Sequence, residues 1–432
     1  MLPIFRGAVL ASLTFAIANS AISQTSTQSL TADEAVREAL AANRDLQAAR
    51  LTIDVARGGL RQAGRLANPE LELDYADDFA FSGEGERAGS VRLAQKFPVT
   101  ARLAREKDVA SQDVAIAEAE VRNFARILIA EVQRTFYSIR SFDERLGVNR
   151  QLVESVRQVE DATARRLEAA EASPAEVSLL RTERLRLEQD AQRLIREREV
   201  AAAALSRLLA RPLPGDPDLV GELDPGPLPS PYAANGLGER SDLEAAGKAI
   251  DRADAARALA RSEVWEDWTA GFGYEADRQV FEPPIDGVYS DSLLAFRVTV
   301  PLPLWNRQQG RIASAEAERL RSRRSRDGLA LRIEEEVRAA DAQARTLRAS
   351  VDAYADEILP SATETRDLFE RGYLQGLVGI AELLQAQRQY NESRALYFEL
   401  LGDLRQAAIA LETALGTSPH LNDLSNPGGP TS

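Results

Sequence analysis

Mostly apolar side chains recur in alternating steps of four and three residues along four long stretches of the chain. Their positions are Ile333, Val337, Ala340, Ala344, Leu347, Val351, Tyr354 and Ile358; Thr135, Ile139, Phe142, Leu146, Asn149, Val153 and Val156; Val177, Leu180, Arg184, Leu187, Ala191, Leu194, Arg198, Ala201 and Leu205; and Arg394, Tyr397, Leu401, Leu404, Ala408, Leu411 and Leu415. A seven-residue repeat sustained over this distance predicts helices packed as coiled coils. The stretch from about Arg311 to Arg371 predicts one helix about 90 Å long.

Four shorter stretches alternate apolar with polar residues, as amphipathic β-strands do. In the first, residues 68–78, one face carries Leu71, Leu73 and Tyr75, and the other carries Glu70, Glu72 and Asp74. The other three lie within residues 90–97, 267–274 and 294–300, and polar loops are expected at 77–89 and 277–291. Each stretch is about nine to eleven residues long, the length of a tilted membrane strand. A small soluble sheet packed on a helix is the alternative.

This order of elements occurs twice, in halves of about 200 residues. The segment from Asn43 to Ala49 is echoed by the segment from Arg240 to Ala246, and the helix end at residues 204–209 is echoed at 410–415. Each half is predicted to contain a helix of about 25 residues, two strands, a very long helix, a turn and a returning helix. The fold should therefore contain two equivalent units.

The N-terminal residues resemble a secretory signal. Arg6 precedes an apolar run from Gly7 to Ala18, and small residues follow it. This pattern predicts a signal that is removed, although a buried N-terminal helix is the alternative. No later stretch offers the roughly 18 uncharged apolar residues that a membrane helix needs. Any membrane span is therefore predicted to be β.

Composition excludes several functions. The net charge is −14, and basic residues are interspersed with acidic ones, which argues against nucleic acid as a partner. There is no cysteine, the one methionine is the initiator, and the one histidine is His420. We therefore expect no metal site and no cofactor. Most acidic residues stand beside arginines on helix faces, where solvated ion pairs form, so no enzyme is predicted.

Four strands are too few for a membrane pore of one chain. They cannot close into a barrel, and an open sheet edge is not tolerated in lipid. If the strands span a membrane, the missing strands must come from other copies of the chain. The pattern alone does not set the number of copies.

Three runs resemble the TolC-type outer-membrane efflux proteins. They are Ala67 to Leu73, Val300 to Ala313, and Phe369 to Tyr390. The run from Val300 to Ala313 looks most like the heavy-metal branch, the cobalt–zinc–cadmium efflux channels. The resemblance covers about Leu30 to Gly416, nearly the whole mature chain.

The resemblance implies a homotrimer in the outer membrane. Its fold would be mostly α, with two coiled-coil hairpins and four strands per protomer, assembled into a twelve-stranded β-barrel and a twelve-helix tunnel in the periplasm. The function implied is a passive exit duct of a tripartite efflux system, with a periplasmic adaptor and an inner-membrane pump of the resistance-nodulation-division type as partners. Outer-membrane lipid would surround the barrel, and heavy-metal cations are the expected cargo.

The family pattern also suggests where a gate would lie. It places acidic side chains near the turn of the second hairpin, and the matching positions here are Glu382 and Gln385. A ring of carboxylates from three copies of Glu382 would attract cations. Glu176 stands at the equivalent place in the first hairpin. A solvated helix residue without a gating role is the alternative for Glu382.

The hairpin tips are expected to dock the adaptor. They comprise Glu171, Ala172, Ser173 and Pro174 in the first hairpin, and Gly376, Leu377, Val378 and Gly379 in the second. The glycines also fit helix caps, which is compatible with docking.

Four carboxylates are expected to line the barrel lumen and to favour cations. They are Glu70, Glu72, Asp74 and Asp267. Each stands opposite the apolar face of its predicted strand.

These interpretations divide the chain into nine segments. They are a signal peptide (1–23), an N-terminal segment with the first-repeat helix (24–67), a strand pair (68–98), a coiled-coil hairpin (99–211), a linker in an equatorial belt (212–235), the second-repeat helix (236–266), a second strand pair (267–303), a second hairpin (304–416) and a tail (417–432).

Two alternatives stay open. The same channel fold could serve drug efflux or type I protein secretion, because the pump selects the cargo. A soluble periplasmic adaptor is a more remote alternative, since adaptors have one hairpin and this chain has two.

Overall fold

The computed structural model describes residues 29–80, 85–214, 217–230, 240–281 and 287–417. Its first half contains β1 (Leu30–Thr31), α1 (Ala32–Ala42), α2 (Arg44–Gln62), β2 (Glu70–Asp77), β3 (Arg87–Phe97), α3 (Arg102–Glu168), α4 (Pro174–Leu208) and β4 (Leu219–Val220). The second half contains α5 (Ser241–Ser262), β5 (Trp268–Phe281), β6 (Gly287–Thr299), α6 (Gln309–Ala353), a π-helical turn (Tyr354–Ile358), α7 (Leu359–Leu374) and α8 (Ile380–Leu415). The predicted signal, most of the tail with His420, and part of the predicted belt lie outside the described residues.

The duplication predicted from the sequence is confirmed: the segments that begin at Asn43 and Arg240 open the equivalent helices α2 and α5, and α1 is an additional helix before α2. The Oδ1 of Asn43 accepts a hydrogen bond from the N–H of Leu46 at 2.9 Å. Asparagine is among the best residues at such a position because its side chain satisfies an N–H that the first helical turn leaves free. Asn43 therefore caps the start of α2 and separates it from α1.

The four long strands form one antiparallel sheet in the order β2-β3-β5-β6. Its register pairs Leu73 with Val91 and Val91 with Tyr274, which collects the apolar side chains on one face. The strands are longer than predicted: β3, β5 and β6 extend into the expected loops at 77–89 and 277–291. Hydrogen bonding between neighbours continues through polar positions such as Asp277 and Ser290, where the apolar alternation is interrupted, so periodicity did not reveal the full length.

The helices form four columns below the sheet. In the half nearer the sheet, α3 packs between α2 and α5, and α5 packs against α6. In the half nearer the hairpin turns, α3 packs between α4 and α8, and α8 packs against α7. The upper order α2-α3-α5-α6 thus repeats the order of the four strands.

The long second-repeat helix contains a π-helical turn. It ends with a hydrogen bond from Leu359 N–H to Tyr354 O, which spans five residues instead of four. Pro360 follows directly and has no N–H to donate to Asp356, the acceptor it would use in a regular helix. A π-helical turn widens the helix locally, which accommodates this missing bond. The predicted long helix therefore runs without a gap from α6 through the π-helical turn into α7, but its hydrogen-bonding pattern changes at the turn.

The largest apolar core lies at mid-height, where α1, α3, α4 and α8 meet. Its fully buried side chains include Leu46, Ile129, Phe136, Leu205 and Leu404. Residues 217–230 pack against this core through Leu219 and Leu223. Of the helices in the described segments, none is both long and apolar enough to cross a bilayer.

Candidate pore wall, gate and docking tips

The two hairpin tips share one backbone motif. Each contains one residue in the left-handed conformation, Ala170 with φ 58° and Gly376 with φ 73°. The next residue in each tip bonds back to the preceding helix, from Glu171 N–H to Arg166 O at 2.7 Å and from Leu377 N–H to Gly372 O at 2.9 Å. These bonds cap helix carbonyls that would otherwise lack partners.

The tips differ in their side chains. The first tip carries the carboxylate of Glu171, whereas the second is uncharged and exposes Leu377. The structure thus places the eight predicted docking residues in the two turns or at the first residue of the returning helix. Their role in docking stays a prediction.

The two predicted gate glutamates occupy equivalent places. Each is the third residue of a returning helix, Glu176 in α4 and Glu382 in α8. Glu382 accepts a hydrogen bond from Gly379 N–H at 3.0 Å, and the N–H of Glu176 donates to Ser173 Oγ at 3.3 Å. Both therefore help to start their helices, and Gln385 is exposed one turn further along α8. A gating role for these three residues stays a prediction.

A contact between the hairpins, missed in the sequence, lies just above the tips. The hydroxyls of Thr163 on α3 and Tyr373 on α7 are 3.1 Å apart. Thr163 Oγ1 also donates to Val159 O at 2.8 Å, so the Tyr373 hydroxyl is the donor between the two. The guanidinium of Arg166 lies 5.3 Å from the Tyr373 ring centroid, a cation–π distance. Thr163 is 1% exposed, which protects this link from water.

An ion pair between a buried acid and a half-exposed arginine joins the hairpins higher up. Glu183 on α4 accepts a hydrogen bond from Arg388 on α8 at 2.5 Å, and its side chain is 6% exposed. The heptad pattern predicted Arg184 in this seam, but Arg184 is only partly buried and pairs with Glu160 at 2.8 Å. Leu180 and Leu187 are buried as the heptad pattern predicts, so the deviation is confined to one position, where the contact with α8 explains the buried acid.

An apolar cluster lies between these two polar links. It is formed by Val156, Leu180, Leu187, Ile380, Leu383 and Leu384. Parting the second hairpin from the first requires exposing this cluster and breaking both links.

Three of the four predicted lumen carboxylates share the polar face of the sheet. Glu70 pairs with Lys96 at 2.8 Å, and Asp74 accepts a hydrogen bond from Ser90 at 2.9 Å. Arg92 joins Glu72 at 2.9 Å to Glu275 at 3.1 Å across three strands.

Asp267 departs from the prediction. It precedes β5 and forms an ion pair with Arg102 at 2.6 Å, at the start of α3. It therefore fastens the strand to the helix below. The acids that the sequence reading missed on the polar face are Glu275, Asp277 and Asp291. Within the described ranges, no group of three or more acids or histidines is arranged to hold a metal ion.

All outer elements of the protomer expose apolar side chains. They comprise the edge strands β2 and β6, α2 and α6 in the upper half, and α4 and α7 in the lower half. The exposed residues include Leu71 and Leu73 on β2, Leu294 and Phe296 on β6, Leu51 and Val55 on α2, Leu320 and Leu331 on α6, Leu179 and Leu185 on α4, and Leu368 on α7.

Comparisons with known proteins agree with this architecture. Residues 234–417 match the sequence model of the outer membrane efflux protein family. The cobalt-zinc-cadmium resistance protein CzcC of Cupriavidus metallidurans is 24% identical over 389 residues, which are 90% of each chain. A membrane protein from Pseudomonas aeruginosa superposes with a TM-score of 0.71 at 22% identity, over 89% of this chain and 93% of that one. The channel-forming protein CusC superposes with a TM-score of 0.72 at 19% identity, over 90% of this chain and 92% of that one.

Proposed function

We propose that this chain is a member of the outer membrane efflux protein family and that three copies form the exit channel of a tripartite pump for heavy-metal cations. It is an outer-membrane protein whose helices extend into the periplasm. Members of the family are efflux channels rather than enzymes. Its partners in the proposal are a periplasmic adaptor and an inner-membrane pump of the resistance-nodulation-division type.

The observation that carries the trimer proposal is the common order of strands and upper helices. The sheet and the layer of upper helices have matching edges. One edge is formed by β2 and α2, which are consecutive in the chain, and the other by β6 and α6, which are also consecutive. A sheet edge in lipid needs a partner, because its backbone groups have no water to bond. A second copy supplies that partner for the strand and the adjacent helix at once, and rotation around a closed ring repeats the contact.

Leu51 and Leu320 allow a direct test of this closure. Leu51 lies eleven residues before the end of α2, and Leu320 lies eleven residues after the start of α6. Both are therefore about 16 Å from the end of their helix that is nearer the sheet, which makes them a matched pair for cross-linking. Since the chain has no cysteine, the double variant Leu51→Cys/Leu320→Cys contains only the two introduced thiols.

Oxidation of this variant in membranes should produce covalent dimers and trimers and no larger species. Each single variant should give at most a dimer. A ladder that continues past the trimer, or a monomer that resists cross-linking at several matched depths, would contradict the proposed ring.

The proposed gate is the lower half of the second hairpin. Opening the periplasmic end requires α7 and α8 to part from α3 and α4, and the Thr163–Tyr373 and Glu183–Arg388 contacts resist this movement. The variant Tyr373→Phe removes one hydroxyl and keeps the ring under Arg166. It should raise the open fraction of the channel in planar bilayers, while the same change at Tyr390 of α8, whose ring also lies against an arginine, Arg366, should not. Equal open fractions in wild type and Tyr373→Phe would refute this location.

The cargo proposal rests on the similarity to CzcC over nearly the whole chain. The test is growth of a strain that lacks this protein, on gradients of cobalt, zinc and cadmium and on gradients of drugs. Sensitivity to the metals alone, reversed by the wild-type gene, is the expected result. Sensitivity to drugs alone would assign the channel to drug efflux, and loss of a secreted protein would assign it to protein secretion.

A further inference from the structure

The apolar face of the sheet continues below its last strand. Even-numbered residues of β6 form this face with Leu294, Phe296 and Val298. The strand ends at Thr299, yet the same alternation continues through Val300, Leu302 and Leu304, all exposed. Trp305 follows and is 87% exposed. We call residues 300–305 the exit segment.

Part of the backbone of the exit segment is satisfied without water. Pro301 and Pro303 have no N–H, and Leu304 N–H donates to Leu302 O at 2.8 Å. The side chains beyond it cap two further carbonyls: Arg307 Nε donates to Pro303 O at 3.3 Å, and Gln309 Nε2 donates to Trp305 O at 3.2 Å. Irregular backbone is costly in a membrane interface because unpaired polar groups lose their hydration. The two prolines and these three hydrogen bonds lower that cost for part of the segment.

The first repeat has no comparable segment. Its strand β3 ends at Phe97, and only residues 98–101 separate the strand from α3. The second repeat has residues 300–308 between β6 and α6. The additional residues carry Leu302, Leu304 and Trp305, and residues 298–306 contain no charge. The longer connection is therefore an apolar addition and not a polar loop.

We propose that the exit segment is a lipid contact that extends the membrane-embedded surface below the sheet. It would lie at the boundary between acyl chains and headgroups of the periplasmic leaflet. This inference rests on the proposed membrane function of the sheet. The occupant is lipid because the exposed side chains continue the sheet face, whereas a neighbouring copy would lie beside the sheet edge. An indole at this depth buries its ring in the acyl region and turns its N–H toward the headgroups.

The three tryptophans permit a depth measurement. Trp305→Phe with Trp265→Phe leaves Trp268, which belongs to the sheet face and pairs in register with Phe97. Trp265→Phe with Trp268→Phe leaves Trp305 in the exit segment. Both variants are reconstituted in phosphatidylcholine vesicles whose acyl chains carry bromine either near the headgroup or near the chain end. Bromine quenches only those indoles that lie within reach of the lipid.

Both tryptophans should lose fluorescence in the brominated vesicles, and Trp305 should lose more with bromine near the headgroup than with bromine near the chain end. Aqueous iodide should leave Trp305 largely unquenched. If Trp268 is quenched by lipid and Trp305 is not, the exit segment does not contact lipid. In that case, quenching of Trp305 by iodide would show that the segment is exposed to water, and the absence of quenching would show that a neighbouring copy covers it. If neither indole is quenched by lipid, the proposed membrane location of the sheet itself fails.

Discussion

The two repeats solve the same packing problem with different chemistry. In each repeat the returning helix ends where a helix of the upper half begins, so that two helices stack into one column. In the first repeat the Nδ2 of Asn43 donates to Leu208 O at 3.0 Å. In the second repeat Arg240, at the equivalent place, donates to Ala414 O at 3.0 Å. Each side chain caps the end of the preceding helix.

The second junction is ionic, whereas the first is neutral. Arg240 also bonds both carboxylate oxygens of Asp242 and reaches Glu336 of α6 at 3.0 Å. Arg126 of α3 joins from the first repeat by donating to Thr413 O at 2.5 Å. The second junction therefore ties together α3, α5, α6 and α8, whereas Asn43 joins only α2 and α4.

This difference follows from position in the helix layer. The first junction belongs to the outer column of the protomer, and the second lies between α3 and α6, which flank it on both sides. Both side chains are buried, with Asn43 3% and Arg240 4% exposed. The second junction has helices on two sides, however, and a guanidinium with five donors reaches more partners there than an amide does. Duplicated sequence thus diverges where the surroundings differ.

The largest expected effect is the loss of Arg240. Arg240→Ala leaves Asp242 partly buried with only the more distant Arg126, at 3.8 Å, and removes the donor for Ala414 O. Breaking a buried ion pair in this way costs about 3–5 kcal/mol. The free energy of unfolding, from urea titration of the detergent-solubilised protein followed by circular dichroism of the helices, should fall by about this amount.

Asn43→Ala is the matched control at the first junction. It removes a helix cap and one neutral hydrogen bond, and it should cost about 1–2 kcal/mol. If Arg240→Ala and Asn43→Ala lowered the free energy of unfolding equally, the ion pairs of Arg240 would add no stability beyond the helix cap. The two junctions would then differ in their residues but not in their contribution to stability.

The second largest effect is expected when the residues at one equivalent position of the two returning helices, α4 and α8, are exchanged. The numbering offset that relates Glu176 to Glu382 also relates Glu183, which is buried, to Gln389, which is exposed. Glu183→Gln replaces the charged hydrogen bond between the buried Glu183 and the half-exposed Arg388 with a neutral one, and at most about 2 kcal/mol of stability should be lost. The reciprocal change Gln389→Glu should alter stability by less than about 0.5 kcal/mol because the side chain is solvated.

Urea titration compares these two variants directly. Bilayer recordings should also show a larger open fraction for Glu183→Gln than for Gln389→Glu, because only the former weakens the contact between hairpins. Similar costs for both changes would show that the two hairpins use α4 and α8 in the same way, contrary to the structure.

Acid should weaken the second junction and leave the first unchanged. Although burial by itself would raise the pKa of Asp242, the hydrogen bonds and positive charge of Arg240 hold that pKa below the usual carboxyl value of 3.8. A lowered pKa in the folded protein stabilises it above the unfolded value, and this contribution is lost as the pH falls through the lowered pKa. The difference in unfolding free energy between wild type and Asp242→Asn should therefore shrink below about pH 4. Asn43 has no titrating group, so the cost of Asn43→Ala should not change over the same range.

Sequence reasoning predicted the repeated fold because that information is periodic. The heptads located the hairpins, and alternation located the four strands with Leu71 and Glu72 on opposite faces. Single residues that respond to a neighbour were not predictable in this way. Glu183 is buried because Arg388 of another hairpin meets it, and Asp267 is held by Arg102. Pro360 was a visible signal for the interruption of the long helix, and the heptad pattern concealed it.

The smallest expected effect concerns the tips, where the repeats differ at one left-handed residue. Ala170 pays a steric cost at φ 58° that Gly376 avoids at φ 73°. Ala170→Gly should stabilise the first tip by about 1 kcal/mol, and Gly376→Ala should destabilise the second by a similar amount. No atom lies within 4 Å of a Cβ added at Gly376, so the cost there is one of backbone conformation alone. Amide hydrogen exchange of the tip peptides measures these changes locally, and about fivefold slower exchange is expected at Glu171 and about fivefold faster exchange at Leu377. If the two substitutions changed the exchange rates of both tips in the same direction, the left-handed residue would not account for the difference between the tips. The uncharged surface around Leu377 would then be the remaining difference.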